Sequence, residues 1–459
     1  MKKTTLRSLA LLPVIAAVFA GMVFLGYEIF ADGGEWVKYH PLNAASSDEA
    51  EKLPSGNIYD RNGKVLLRSD GENTYYSDDR DIRVSTLHIV GDPQGNISTG
   101  ARSLFEDMLT GYNFANGIYN LKAYGRGNDI YLTIDADACA AAYNALGNYK
   151  GAVGVYNYKT GEMLCSVSTP SYDVNDKPSD LLTNSRYSGV YVNRFFSAKY
   201  TPGSTFKIVT ALSALENVSG IYNRTFTCRE RIKYSTGTVI CFKEGGHGTI
   251  SFEKALNVSC NCAFAEISEL VGKDALNATA RELGFNRSFT INKIKTAASE
   301  FKLTSDAPSD IAWAGIGQYK FGACPAHMMM IAGAIANNGR GLVPYFLKQA
   351  VSPANVVTYS APAASSSFSV NADKAAELHN LLRSNFENYY GNDRFPGYTM
   401  CGKTGTAEYE GQDDYSWFVG YSADEDAPYA VAVVAEQGGS GSGTAMNVAN
   451  KALQALRKD

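Results

Sequence analysis

The sequence predicts an α/β protein of the α+β kind, with one sheet built from both ends of the folded region around a helical middle. Strand patterns occur at Ile130–Ile134, Ala152–Tyr156 and Met163–Val167, then return only at Thr404–Tyr409, Ser416–Tyr421 and Tyr429–Glu436. Helical patterns fill the space between them, so the strands must meet across the helices. The chain has 459 residues, 45% hydrophobic and 19% charged, which is more than one ordinary core holds. Two folded units are expected. The net charge of −4 gives no basic face for nucleic acid.

In chain order, Lys2, Lys3 and Arg7 precede an uncharged run from Ser8 to Tyr27. About 20 apolar residues suffice to cross a bilayer as a helix, whereas the rival reading, a cleaved signal peptide, usually has an apolar region of about 7–15 residues. The expected layout is a cytoplasmic tail over 1–7 and a single transmembrane anchor over 8–30, with the remainder outside the cell membrane. Residues 31–54 read as a polar tether. Ile58 to Leu67 reads as a β-hairpin in which Asn62-Gly63 supplies the positive φ angles of a tight turn. Residues 55–128 form a small unit with no catalytic cluster, and the denser region runs over 129–459. There Ala136–Leu146 is a helix, and Lys159-Thr160-Gly161 turns between two strands. Ser204–Leu215, Phe252–Leu256, Ala263–Val271 and Ala326–Ala336 are helical. Ser365-Ser366-Ser367 lies in a connector, and Asn447–Leu456 closes the chain as a helix.

All eight cysteines lie beyond the apolar run. Cys228 and Cys241 flank a polar stretch that either closes as a disulfide loop or keeps buried thiols. Cys260 and Cys262 stand too far along the chain from a second matched pair to argue for zinc.

The chemistry rests on three short motifs. In Ser204-Thr205-Phe206-Lys207, residues three apart share a helix face, so Lys207 can reach the Ser204 hydroxyl. Serine needs a neighbouring base to become a nucleophile, and lysine serves only where burial or a second cation lowers its pKa. Ser259-Cys260-Asn261 and Lys403-Thr404-Gly405 complete the set. Each motif has look-alikes elsewhere, such as Ser251-Phe252-Glu253-Lys254 and Lys159-Thr160-Gly161. Only Ser204, Ser259 and Lys403 combine order, spacing and flanking sequence. Gly402 and Gly405 are read as letting a substrate backbone approach. His247, between two glycines, reads as structural.

These motifs resemble those of penicillin-binding proteins and serine β-lactamases. Gly151-Ala152-Val153, Ser168 to Asp173, Asn193-Arg194, Gly246-His247-Gly248, Ile316-Gly317-Gln318 and Trp417 to Gly420 extend the likeness from about Asp129 to the end. The hairpin around Asp60 and Gly91-Asp92 resembles the non-catalytic pedestal of class B, monofunctional members, although Ser55-Gly56 stands where that family usually has Arg-Gly.

The resemblance implies an antiparallel sheet flanked by helices, with a small β-rich pedestal and a membrane anchor. It implies a peptidoglycan D,D-transpeptidase of the bacterial cell membrane that acts on the D-alanyl-D-alanine end of stem peptides and is trapped by β-lactams. In that scheme Ser204 attacks and Lys207 takes its proton. Ser259 relays a proton, and Asn261 holds the substrate amide and Lys207. Lys403, Thr404 and Thr406 receive the carboxylate, with Gly405 between them. The N–H groups of Ser204 and Thr406 form the oxyanion hole. No metal or organic cofactor is expected, and a membrane-embedded glycan polymerase is the expected partner. The alternatives are a D,D-carboxypeptidase or β-lactamase on the same scaffold, or a non-catalytic wall-synthesis scaffold or β-lactam sensor.

Overall fold

The structure is a computed structural model and describes residues 12–28, 31, 55–70, 73–110, 126–409 and 412–457. The central antiparallel sheet contains β1 (Gly151–Asn157), β2 (Met163–Thr169), β3 (Met400–Tyr409), β4 (Gln412–Ser422) and β5 (Tyr429–Ala435). Their order is β3-β4-β5-β1-β2. Val433 pairs with Val153 on one side and Phe418 on the other, so distant parts of the chain share one sheet as expected. β5 is buried from Ala430 to Ala435, the pattern of a strand covered on both faces.

The helices that matter for the site are α1 (Arg80–Val90), α2 (Ala136–Leu146), α3 (Lys207–Asn217), α4 (Asn261–Val271), α5 (Pro325–Ala336), α6 (Ala372–Asn385) and α7 (Thr444–Leu456). Helix α5 packs on β1, β4 and β5; α7, with α2 against it, packs on the same strands. The α5 side is tight: a Cβ on Gly333 would meet the Tyr156 hydroxyl at 1.8 Å. β3 is left at the edge of the sheet, which exposes one side of its backbone.

A second, six-stranded sheet joins Ile58–Tyr59, Val65–Ser69 and Thr74–Tyr76 to Asp129–Leu132, Leu347–Val351 and Val357–Ser360. Ile58–Tyr59 runs parallel to Asp129–Leu132, so this sheet passes across residue 129. The hairpin lies where the sequence places it, but only Gly63 (φ +82°) takes a positive φ. The Asp60 carboxylate accepts from the N–H of Asn62 and of Lys64, both at 2.8 Å, and this side-chain bonding replaces the second left-handed residue. Gly56 lies against Asn128, whose carbonyl oxygen would stand 1.7 Å from an added Cβ.

One helix is new and two further expectations change. Helix α1 was not legible in the sequence. Asp79 starts it, its side chain accepting from Asp81 and Ile82, and α1 packs on α2. Ser366–Ser369 is a short strand paired with Arg340–Leu342 rather than a connector. The C-terminal helix begins at Thr444, about one turn before the expected Asn447. Residues 12–28 are helical and their apolar side chains are exposed, Phe19 at 68%. Among the described residues, no helix is long and apolar enough to cross a membrane. The tail and tether expectations, and most of 1–54, lie outside the described residues.

One buried ion pair ties α1 to the segment after β2. Arg83 donates through Nε and Nη2 to the two oxygens of Asp173, at 2.9 and 2.7 Å, and both side chains are about one-tenth exposed or less. The fork holds the Asp173 carboxyl below its ordinary range. Asp173 contributes stability above its unfolded pKa, and this is lost as pH falls through its lower folded value. Removing Arg83 leaves the buried Asp173 carboxylate with only the Asn175 N–H and a long contact to Arg80 Nε, at 3.8 Å. Arg83→Ala is expected to cost on the order of 3 kcal/mol, read as earlier thermal melting. Arg83→Lys, which keeps the charge but not the fork, is expected to recover part of it.

Candidate active site

Ser204 lies in a tight 3-10 turn, Gly203–Phe206, that leads directly into α3. The turn sits there because backbone stacks on backbone. Gly203 has φ +53°, and a Cβ on it would meet the Thr406 carbonyl at 2.4 Å. A Cβ on Gly317 would meet the Gly203 carbonyl at 1.9 Å, and one on Gly405 would meet Pro202 O at 2.8 Å. A Cβ on Gly441 would meet Gly405 O at 2.4 Å. Gly405 therefore admits the chain's own Pro202–Thr205 segment, not a substrate backbone as the sequence reading had it. Gly402 likewise abuts Gly420 on β4. The stack holds β3 against the Ser204 turn.

Lys207 is fully buried at the start of α3. Its Nζ lies 2.8 Å from the Ser259 carbonyl, 2.7 Å from Asn261 Oδ1, 3.0 Å from Ser204 Oγ and 3.2 Å from Ser259 Oγ. Burial pushes its ammonium well below the ordinary lysine range, and the charge of Lys403 pushes it further. The thiols of Cys260, Cys241 and Cys262 pull weakly the other way. A neutral amine has two N–H donors and one lone pair. The Ser259 carbonyl and Asn261 Oδ1 can only accept, so they take the two hydrogens. Asn261 is oriented for this because its Nδ2 donates to Ile240 O at 2.9 Å. The lone pair is left for the two hydroxyls, of which Ser204 Oγ, at 3.0 Å, is nearer than Ser259 Oγ, at 3.2 Å.

The three residues of the second motif are set by a strained corner and a helix start. Ser259 has φ +53°, an unusual conformation for a residue with a side chain. Cys260 then caps α4, its Sγ accepting from Ala263 N. The corner turns the Ser259 carbonyl, the Ser259 hydroxyl and the Asn261 amide all toward Lys207.

On β3, Lys403 is buried, and burial pushes it down to about 7. Its Nζ donates to Tyr390 Oη at 3.3 Å and to Thr404 O at 3.1 Å. Tyr390 was missed by the sequence reading. It ends a π-helical turn, Phe386–Tyr390, that continues α6. Its Oη also accepts from Thr404 N at 3.2 Å and lies 2.9 Å from Thr404 Oγ1. Burial raises its pKa, so it stays a phenol and has one proton to donate, directed at Thr404 Oγ1. That leaves the Thr404 hydroxyl hydrogen free to point into the cleft. A π turn beside a motif is a recurrent functional marker, but no periodicity in the sequence reveals it.

Thr404 N–H faces Tyr390, away from β4. Residues two apart on a strand point their backbone groups the same way, so Thr406 N–H also faces the open edge. Gln318 Nε2 reaches Thr406 O there, at 3.3 Å. Arg194 and Trp417 serve as struts. Arg194 bonds Glu436 and the carbonyls of Gly189 and Ser188, while Trp417 Nε1 donates to Thr201 O at 3.0 Å.

Cys228, Cys241, His247 and Cys260 converge behind the second motif, and all eight cysteines of the chain are free thiols. The fold thus brings together residues that sequence spacing set apart, and the Cys228–Cys241 loop is not closed by a disulfide. Among the described residues, these four form the group that could hold a metal ion. Cys262 lies beside them.

A model of the penicillin binding protein transpeptidase domain matches residues 151–454. The peptidoglycan D,D-transpeptidase PbpA of Mycolicibacterium smegmatis is 28% identical over 337 residues, 68% of each chain. The peptidoglycan D,D-transpeptidase MrdA of Acinetobacter baumannii is 26% identical, and the match covers 70% of this chain and about half, 52%, of that protein. Among solved structures, the D,D-transpeptidase domain from Eggerthella lenta superposes with a TM-score of 0.75 at 28% identity, covering 88% of this chain and 98% of that one. Penicillin-binding protein A of Mycobacterium tuberculosis gives 0.77 at 23% identity, covering 89% and 100%, a likeness of fold.

Two outcomes are expected from this geometry. Tyr390→Phe should slow acylation of Ser204 by a carboxylate-bearing reagent by roughly tenfold, the value of one hydrogen bond to a charged group. The ester form of the same reagent should be unaffected. In the wild type, the second-order acylation rate of the carboxylate-bearing reagent should fall as pH rises through about 7, where Lys403 loses its proton. Both are read by following the rate of covalent adduct formation.

Proposed function

The chain belongs to the class B, monofunctional penicillin-binding proteins, and on that footing we propose that it cross-links peptidoglycan stem peptides as a D,D-transpeptidase through an acyl-enzyme on Ser204. The observation that carries this is the Lys207 amine, with both hydrogens engaged and its lone pair 3.0 Å from Ser204 Oγ.

Ser204 Oγ attacks the carbonyl of the penultimate D-alanine while its proton passes to Lys207. Negative charge develops on the carbonyl oxygen, and the N–H groups of Ser204 and Thr406 take it. The C–N bond to the terminal D-alanine then breaks. The proton moves from Lys207 through the Ser259 hydroxyl, 3.2 Å away, to the leaving amine. An amine from a second stem peptide then attacks the ester and gives a proton to Lys207, which returns it to Ser204 Oγ as the ester C–O bond breaks. Asn261 fixes Lys207 throughout and lies where it can hold the substrate amide. The terminal carboxylate is received by Lys403, Thr404 and Thr406. β-Lactams present the same carbonyl and carboxylate, and without a departing amine they leave Ser204 acylated.

We assign 129–459 to the transpeptidase unit and 55–128 to the pedestal, with the six-stranded sheet spanning the two. The chain is read as anchored by one helix over 8–30, with its N-terminus cytoplasmic and the catalytic unit outside the membrane. The exposed apolar side chains of the helix over residues 12–28 support this. Strand pairing across residue 129 would make the pedestal a rigid stalk. A membrane-embedded glycan polymerase is the proposed partner.

Exposure to penicillin followed by peptide mass spectrometry should place a long-lived adduct on Ser204, and Ser204→Ala should carry none. Lys207→Ala should acylate at least about 100-fold more slowly, the lower range for loss of a general base. With a D-alanyl-D-alanine substrate, transfer to an added amine is expected. Rapid turnover of penicillin would instead mark a β-lactamase, and release of free acid alone a carboxypeptidase.

A further inference from the structure

The acyl-transfer scheme leaves one cluster of soft donors without a role. The ligand atoms of Cys228, Cys241, His247 and Cys260 all lie within 4.8 Å of one another. Cys241 Sγ is 3.3 Å from His247 Nδ1 and 3.9 Å from Cys260 Sγ. In a tetrahedral zinc site, Zn–S near 2.3 Å and Zn–N near 2.1 Å put neighbouring donors about 3.5–3.8 Å apart. The donors already stand close to that spacing, and the three cysteines are buried.

The backbone is shaped to gather them. Cys228 ends a strand whose partner begins at Gly248, directly opposite, which brings His247 alongside. Cys241 N donates to Glu230 O at 2.7 Å and closes the neck of the hairpin between Arg231 and Ile240. Gly246, at φ +79°, sits so near that a Cβ would meet the Cys228 carbonyl at 2.3 Å. Glu230 also takes a positive φ, of 74°. These contacts gather the donors at the margin of the hydrophobic core, in which the three cysteines are buried.

We propose that Cys228, Cys241, His247 and Cys260 bind one divalent ion of the zinc class in a closed structural centre. Three thiolates and one imidazole fill a tetrahedral set and leave no open position, so the ion would act on architecture and not on substrate. A disulfide would use two of the four donors and leave a thiol and the imidazole without a function. Binding converts each cysteine thiol to a thiolate and releases its proton to solvent, so loading is favoured as pH rises.

The consequence for the active site follows from Cys260, which stands between Ser259 and Asn261. The ion would bind the strained corner at Ser259 to the neck of the hairpin, at the residue next to Ile240, whose carbonyl already orients Asn261. The centre acts on Lys207 through the two residues that hold it. This coupling rests on the function proposed above; the ion site itself does not.

The test uses the full chain purified without chelators. Elemental analysis should find about one zinc per chain, and cobalt exchanged into the same protein should give a sulfur-to-cobalt charge-transfer band. Cys228→Ser and Cys241→Ser should lose the metal, while Cys262→Ser keeps it. Chelation should slow acylation of Ser204 by labelled penicillin about tenfold or more, and zinc should restore it. A chain that acylates at full rate yet takes up no zinc or cobalt would overturn the proposal, as would a native Cys228–Cys241 disulfide. Metal bound by the four residues with no adduct at Ser204 would retain the centre and count against the transpeptidase reading.

Discussion

Everything at the catalytic centre depends on how one buried amine spends its two hydrogens. Lys207 has four oxygens in reach, and only the fixed character of two of them decides where the lone pair points. A carbonyl and an amide oxygen can never give a proton back, so they lock the amine's orientation permanently. If the amine were charged, it would carry a third hydrogen toward Ser204 and the serine could not hand its proton over. The depressed pKa and the hydrogen-bond pattern therefore express one arrangement, and neither works without the other.

A fully buried lysine is costly to fold, and this site contains two. Lys207 gains hydrogen bonds from a corner of unfavourable backbone at Ser259, while Lys403 gains them from a tyrosine at the end of an irregular helical turn. Backbone strain is stored at the Ser259 corner, where a lysine must be held without a carboxylate. A carboxylate beside Lys403 would raise its pKa but would also repel the anionic end of a substrate. A phenol holds the lysine and stays neutral, which keeps the pocket attractive to anions.

Much of this was legible in the residues. The strands of the central sheet, the helix following Ser204 and the three motifs announce themselves through alternation, spacing and order. Helix α1 did not, because its apolar positions are interrupted by His88 and Ser85 and its partner α2 lies far along the chain. Tyr390 was invisible for a different reason. Its role comes from a π turn that shifts the side chain off the helical period, so no pattern rule singles it out. The cysteine cluster was hidden by sequence distance, since 32 residues and a hairpin separate Cys228 from Cys260. The glycines were read correctly as points of close approach but assigned the wrong neighbour, as sequence cannot say whose backbone arrives.

The column of Gly317, Gly203, Gly405 and Gly441 has a bearing on how such a protein can change. Main chain rests on main chain through four successive layers, so even a single methyl group would wedge Ser204 away from β3. Variation that alters drug or substrate preference has no route through this floor. It must enter through side chains such as Ile240 and Phe242, which stand more than half open to solvent and tolerate exchange. The reacting atoms stay fixed while the rim is free to drift.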